Sequence, residues 1–259
     1  GQEDSPCLVD IQPPEGKRFK DWRVATALSP ERAAGEKGGK AKRHCFGLYR
    51  AENYDELIDH PVEMGHFSHA TFDACGVPHE VVITGRHDCD MSRLTRDLKR
   101  ICEWQIRFFG EPAPMSRYVF LVTAVGSGYG GLEHRASTAL LCSRNDLPYA
   151  GMTGLPEGYR TFLGLCSHEY FHTWNVKRIK PAAFVPYRLA EENYTRLLWA
   201  FEGFTSYYDD LMLVRSQRIG LDDYLKLLAK TITQVHKGSG RHKQSVAESS
   251  FEAWTKYYR

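Results

Sequence analysis

The sequence lacks a long apolar run, a paired-cysteine motif and an excess of charge of either sign. No stretch reaches about 18 apolar residues, so we expect no transmembrane helix and no membrane partner. The formal net charge of +2 is too small for a surface that binds a polyanion, so we expect no nucleic-acid partner. A hydrophobic content of 42% and a charged content of 25% are typical of an ordinary globular protein.

The seven cysteines show no paired spacing. Their number is odd and no C-x-x-C occurs, which favours reduced, packed thiols over a disulfide scaffold. The first residues, GQEDSPCLVD, have neither the basic nor the apolar segment of a signal peptide, and Gly1 in place of Met indicates a trimmed start. We expect a cytoplasmic protein, or a periplasmic one if a leader has been removed.

The sequence pattern changes near residue 90. Before it, five short segments rich in Val, Ile, Phe and Thr predict strands, and residues 31–44 between two of them have the composition of a polar loop. After it, apolar residues at helical spacing predict a helix between an N-cap at Asp90 and a stop at Gly110. RYVFLVTAV and GGLEHRASTALLC each predict one strand, HKGSGRHKQSVAESS predicts a mobile loop, and helices are expected at 158–174, 190–216 and 221–236. These patterns predict an α+β fold.

The segment SHEYFHTW places three ionisable residues in an otherwise apolar helical pattern. His168 and His172 are four residues apart and share one face of a helix, so both imidazoles can reach one ion. Tetrahedral Zn²⁺ accepts such nitrogens, and Glu169, about 100° further round the helix, can lie beside the ion as a general base for a water molecule. For this segment alone, the alternative is a core helix with two hydrogen-bonded histidines.

A third ligand is available further along the chain. Glu202 lies in YTRLLWAFEGFTSYYDDLMLV, which is apolar on nearly every face, and an ionised carboxylate buried there is costly unless it is paired or bound to a metal. An ion pair with Arg or Lys is the alternative. Two imidazoles and one carboxylate would leave the fourth zinc position open, as in catalytic sites. Four other acidic residues stand in more polar surroundings and are interpreted as solvated or capping residues: Glu191, Glu192, Asp209 and Asp210.

A third motif is GGLEH, residues 130–134. Gly130 and Gly131 have no side chains, so another backbone could come close and an extended peptide could add along this strand. Glu133 would lie at the end of that strand, where its carboxylate could hold the N-terminal ammonium group of the bound peptide. The alternative is a tight turn with a surface glutamate, and His134 is interpreted as a neighbour rather than a participant.

Five further histidines lie in the first part of the chain: His60, His66, His69, His79 and His87. Their spacings fit neither one helix face nor the alternation of a strand. Surface or hydrogen-bonded histidines are therefore favoured over a second metal site.

HEYFHTWNVKRIKP, followed by LWAFEGFTSYY, resembles the signature of the glycyl aminopeptidase family of gluzincin metallopeptidases. The resemblance covers residues from about 90 to the end and extends weakly over NYDELIDHPVEMG and GVPHEVVITG. It implies Zn²⁺ at His168, His172 and Glu202, Glu169 as the base, and a glycine-led strand that ends in a glutamate, Glu133, for the substrate amine.

The same resemblance implies a domain organisation. Part of an N-terminal β-rich domain would occupy residues 1–89. A thermolysin-like catalytic domain, cut short at its C-terminal end, would occupy residues 90–259, and a PDZ-like domain would follow in the longer family architecture.

These features predict a zinc aminopeptidase that hydrolyses the first bond of peptides with a free N-terminus, through a zinc-bound water that Glu169 activates. A preference for Gly or Ala at the first position follows from the resemblance alone. The alternatives are a zinc endopeptidase of the same fold and a non-catalytic peptide-binding module with a retained metal site.

Related enzymes stabilise the oxyanion with a tyrosine that this sequence does not clearly provide. Tyr207 and Tyr208 follow Glu202 too closely on the same helix, and Tyr257 and Tyr258 stand at the end of the chain. We therefore expect the tyrosine beyond residue 259 and a weakly active chain without it.

Overall fold

The computed structural model describes residues 2–31 and 42–257, so most of the loop predicted at 31–44 lies outside the described residues. The strands are β1 (Cys7–Ile11), β2 (Arg23–Thr26), β3 (Ser29–Pro30), β4 (Gly47–Ala51), β5 (Val62–Gly65), β6 (Phe67–Ala74), β7 (Val77–Thr84), β8 (Tyr118–Val125), β9 (Tyr129–Glu133) and β10 (Ser137–Ser143). The α-helices are α1 (Tyr54–Ile58), α2 (Met91–Phe109), α3 (Glu157–Phe171), α4 (Leu198–Arg215), α5 (Leu221–Lys237), α6 (Val246–Phe251) and α7 (Ala253–Lys256). The predicted α+β fold is confirmed.

A five-stranded sheet with the order β6-β7-β8-β10-β9 is the centre of the fold. Strands β7, β8 and β10 are parallel, while β6 and β9 pair antiparallel at the two edges. Two smaller sheets, β1-β4-β3 and β2-β5, come from the first part of the chain. The boundary predicted near residue 90 falls between β7 and β8, which are neighbours in one sheet, and the division into two domains stays a prediction.

The main core lies between the five-stranded sheet and helices α2 and α3. Alternation along β7 decides which side chains enter it: Val81 and Ile83 belong to this core, while Val82 packs on the opposite face with Ala25 and Phe67. Helix α2 begins where the sequence predicts, because the Asp90 side chain accepts a hydrogen bond from the Arg93 N–H. Packing in this core places α3 against β9, the strand at one edge of the sheet.

The prediction of one strand over residues 130–142 is wrong. This segment forms two antiparallel strands, β9 and β10. The chain reverses between them, and the N–H of His134 donates to the C=O of Ser137 at 3.0 Å. As a result β9 becomes the edge of the sheet, since it pairs with β10 alone.

Two helix predictions near the C-terminal end also need correction. Helix α4 begins at Leu198 rather than near residue 190, because the Asn193 side chain bonds the backbone of Arg188 in both directions and holds a loop there. The tail predicted as a mobile loop contains α6, which begins with a reciprocal capping box between Ser245 and Glu248.

All seven cysteines are free thiols, and Cys102, Cys142 and Cys166 are buried in the main core, as the sequence predicts. None of the helices formed by the described residues is both long and apolar enough to cross a bilayer.

Candidate active site

Helices α3 and α4 bring two imidazoles and one carboxylate to a common point. The Nε2 atoms of His168 and His172 are 3.1 Å apart, and Oε2 of Glu202 lies 3.3 Å from the first and 3.8 Å from the second. Zinc bonds of about 2.0–2.1 Å in a tetrahedron separate neighbouring ligand atoms by about 3.3 Å. The three ligand atoms therefore fit one tetrahedral ion.

The charges around this point favour a cation. Burial alone would lower the pKa of His168, but hydrogen bonds with Asp209 and Glu202 outweigh it and raise the pKa to about 10. Burial likewise tends to raise the pKa of Glu202, but its hydrogen bonds with the two imidazoles lower that pKa to about 2. A field that favours a proton on an imidazole also favours a metal ion between the same groups.

Glu202 lies at the predicted site, but not in the predicted environment. Its side chain is 41% exposed, so the carboxylate is only partly buried and the prediction of a fully buried one is wrong. Two of the apolar residues around it on α4 are also partly exposed, Trp199 at 41% and Phe204 at 51%, whereas Phe201 is buried. Within the described residues, no arginine or lysine forms an ion pair with Glu202, which removes the alternative reading in that part of the chain.

Asp209 belongs to the site, although its sequence context indicates a solvated or capping residue. Its Oδ2 accepts a hydrogen bond from Nδ1 of His168 at 3.0 Å, and Nδ1 of His172 donates to the C=O of Asn175 at 2.9 Å. Both Nδ1 atoms therefore carry the proton, and both Nε2 lone pairs point at the common centre. The available signal was spacing: Asp209 follows Glu202 by seven residues, two helical turns.

Replacing Asp209 by Asn should weaken metal binding. The amide cannot accept the Nδ1 proton as strongly as a carboxylate, so His168 loses its fixed orientation and part of its basicity, and Zn²⁺ affinity should fall about 10–100-fold. Competition with a chromophoric chelator on the full-length protein measures this. Asp210→Asn is the matched control, because the neighbouring carboxylate makes no described contact with His168. Equal affinity in both variants would contradict the assignment.

Glu169 has the environment of a general base. The residue is 5% exposed, and within the described part of the chain its Oε2 has no hydrogen-bond partner. Burial raises the pKa of its carboxyl group to about 7, although the nearby imidazoles of His168 and His172 act in the opposite direction. A carboxylate with such a pKa takes up a proton readily near neutral pH.

The glycine-rich strand β9 runs directly past this base. A Cβ atom added at Gly131 would lie 2.2 Å from Oε1 of Glu169, whereas one added at Gly130 would have no atom within 4 Å. Side chains two apart along a strand share a face, so Glu133 is on the side of Gly131 that meets Glu169. Ligand atoms of Glu133, Glu169 and His172 lie within 4.8 Å of one another. The structure thus brings the predicted amine-binding residue close to the predicted base and to one of the predicted metal ligands.

A buried carboxylate, Asp59, holds the end of β9 in place. Its Oδ1 accepts from Nδ1 of His134 at 3.1 Å and from Nζ of Lys177 at 2.6 Å, and its Oδ2 accepts from Nε of Arg135 at 2.8 Å. Burial alone would raise the pKa of Asp59, but His134 and Lys177 hold it well below its ordinary value. His134 is therefore a structural partner beside Glu133, and sequence spacing gave no indication of Asp59.

Among the described tyrosines near the end of the chain, Tyr208 makes a packing contact, whereas Tyr207 is 50% exposed. Tyr208 stacks on Phe171 with ring centroids 5.3 Å apart. Tyr257 is 59% exposed, and Tyr258 lies outside the described residues. The prediction that the oxyanion tyrosine lies beyond residue 259 stays a prediction.

Comparison with known proteins defines the family to which this chain belongs. The chain belongs to the M61 glycyl aminopeptidase family, as predicted: a model of M61 glycyl aminopeptidase matches residues 161–259, and one of the peptidase M61 N-terminal domain matches residues 1–66. The crystal structure of an aminopeptidase N family protein from Idiomarina loihiensis is similar, with 48% sequence identity and a TM-score of 0.92. The alignment covers 100% of this chain and 42% of that one, so this chain spans less than half the length of that protein. Comparison with curated proteins gave no match.

Proposed function

We propose that the chain forms the catalytic region of a zinc aminopeptidase that hydrolyses the first peptide bond of its substrates. The observation that carries the proposal is the position of Glu133. Its carboxylate, that of Glu169 and a nitrogen of His172 lie within 4.8 Å of one another. An anion at that distance from the metal-binding residues can hold a free N-terminus with only the first carbonyl beside the centre.

The residues of the centre suit Zn²⁺. Two imidazoles and a carboxylate, His168, His172 and Glu202, are the ligand types of catalytic zinc, and they leave a fourth position open. When bound, the ion supplies a Lewis acid that polarises a carbonyl and acidifies water.

Glu169 performs the proton transfers. Its Oε2, which has no hydrogen-bond partner among the described residues, takes a proton from the attacking water and passes it to the leaving nitrogen. The position of its carboxylate against Gly131 sets where that water stands relative to β9. The protein thus supplies a base that burial has made proton-accepting and that a close backbone contact keeps in place.

The substrate would bind as an added strand. The outer edge of β9 has no partner in the sheet among the described residues, so an extended peptide can pair with its backbone. Glu133 at the strand's end marks where the peptide begins. Preference for a small first residue such as Gly or Ala rests on the family resemblance.

Glu133→Gln tests the proposal. The variant should lose about 10–100-fold in kcat/KM on free-amine peptides, because a charge-assisted hydrogen bond to the ammonium is replaced by a neutral one. Activity on aminoacyl chromogenic substrates is compared with activity on their N-acetylated forms, using full-length zinc-loaded protein. Glu192→Gln is the control, because Glu192 is exposed and belongs to none of the candidate ligand groups of the described residues.

The substrate comparison also separates the alternatives. Cleavage of N-acetylated peptides as fast as free ones would indicate an endopeptidase and remove Glu133 from amine binding. Bound zinc with no turnover of any peptide in the full-length protein would indicate a peptide-binding module.

A further inference from the structure

The histidines of the first part of the chain have different environments. Three form the hydrogen bonds expected of structural histidines: His60 with the C=O of Glu56, His79 with the hydroxyl of Tyr170, and His87 with the N–H of Cys89. His66 is exposed. His69, however, comes together with His44 and Glu80, which the sequence pattern did not group with it.

His44, His69 and Glu80 form a second cluster of metal-ligand types. One ligand atom from each lies within 4.8 Å of the other two. The imidazole rings of His44 and His69 are 4.8 Å apart at their centroids. His69 on β6 is paired with Val82 on β7, and directly paired residues share a face of the sheet. Glu80 is two residues before Val82 and shares its face as well. His69 and Glu80 therefore face the side of the five-stranded sheet opposite the helices. The cluster is therefore remote from the active site, which lies on the helix side.

Glu80 forms a close, buried ion pair with His44 whose geometry departs from that of a regular hydrogen bond. The residue is 2% exposed, and its Oε1 is 2.6 Å from Nε2 of His44. Neither atom has a hydrogen-bond partner of acceptable geometry within the described part of the chain. Unsatisfied polar atoms in the interior are costly, and a shared ion is one way to satisfy both.

We propose that His44, His69 and Glu80 bind a second divalent transition-metal ion of the Zn²⁺ type. Two imidazoles and one carboxylate are ligands for Zn²⁺, Ni²⁺ or Cu²⁺, whereas Ca²⁺ and Mg²⁺ require mostly oxygen. Arg117 pairs with the other carboxylate oxygen of Glu80, and Arg23 lies 3.4 Å from Nδ1 of His69. These two cations repel an ion, so this site should bind more weakly than the active site, which has four carboxylates around it: Glu133, Glu169, Glu202 and Asp209.

The proposed ion would be structural. His44 stands in a loop with φ 64°, a left-handed conformation that is uncommon for non-glycine residues. An ion shared with β6 and β7 would hold this loop to the sheet. Peptidase activity should therefore not depend on it.

Metal content of the full-length protein tests the proposal. The protein is equilibrated with Zn²⁺, freed of unbound ion by gel filtration and analysed for zinc per chain. We expect two ions in the wild type, one in His69→Ala and one in His44→Ala. His66→Ala, a surface histidine on the turn before β6, is the matched control and should keep two.

The remaining variants keep this inference separate from the proposed function. His168→Ala should lose the active-site ion and keep the second one, whereas His69→Ala should keep both the active-site ion and the peptidase activity. One ion in the wild type, with no loss in His69→Ala, would overturn the second site and leave the proposed function intact. Two ions in His69→Ala would overturn it as well. Since His69 is exposed, its replacement should not disturb folding.

Discussion

Glu169→Gln should abolish most peptide hydrolysis while the zinc content stays unchanged. The amide cannot take a proton from water, so the contribution of general-base catalysis is lost, roughly 10²–10⁴-fold in kcat. Metal binding should persist, because the proposed ligand set is His168, His172 and Glu202, with Glu169 acting as the base. The measurements are kcat on an aminoacyl substrate and elemental analysis of the same full-length sample.

The matched comparison is Glu202→Gln. This variant also removes one carboxylate within the same site, but it removes a ligand, so both zinc and activity should fall. The two variants thus separate the base from the ligand by metal content. Loss of zinc in Glu169→Gln, or full peptidase activity of that variant, would contradict the assignment of Glu169.

Gly131→Ala should impair catalysis far more than Gly130→Ala. The added methyl group would stand 2.2 Å from Oε1, 2.5 Å from Cδ and 2.6 Å from Cγ of Glu169, so the carboxylate must move. A displacement of about 1 Å of a catalytic group can cost on the order of 10²-fold in rate, and we expect a fall of that size in kcat. At Gly130 the methyl group meets no atom within 4 Å, and we expect little change.

This pair of variants also distinguishes two roles for the glycines. If their purpose were only to let a substrate backbone approach β9, both substitutions should raise KM by similar amounts. If Gly131 makes room for the base, its variant should lose kcat and retain zinc, and Gly130→Ala should resemble the wild type. Thermal unfolding of both variants serves as the control for stability. Equal losses in the two variants would contradict the second role.

The sequence predicted the parts of the site that depend on local periodicity. The i, i+4 spacing of His168 and His172 places them on one helix face wherever the helix lies. Glu202 was selected as an apolar-helix carboxylate, and the structure brings it to the two imidazoles although its side chain is partly exposed. Hydrophobicity along α4 could not reveal which of its faces would be covered, because that depends on elements far away in the sequence.

The parts that the sequence did not predict all depend on long-range contacts. Asp209 contacts His168 from a neighbouring helix, and Gly131 contacts Glu169 across a strand and a helix. Asp59 reaches His134 over 75 residues. The spacing of residues in one sequence does not predict contacts between residues this far apart along the chain. These contacts are seen only in the folded structure.

The ion pairs of Asp59 limit how freely the N-terminal part of the chain can be removed or exchanged. The two family models match residues 1–66 and 161–259 separately, yet Asp59 from the first segment neutralises Lys177 from the second and Arg135 between them. A fragment that starts near residue 90 would lack β6 and β7 and would leave these cations without their counter-ion. Chimaeras that exchange N-terminal parts between relatives should therefore succeed only when the donor supplies an acidic group at this position.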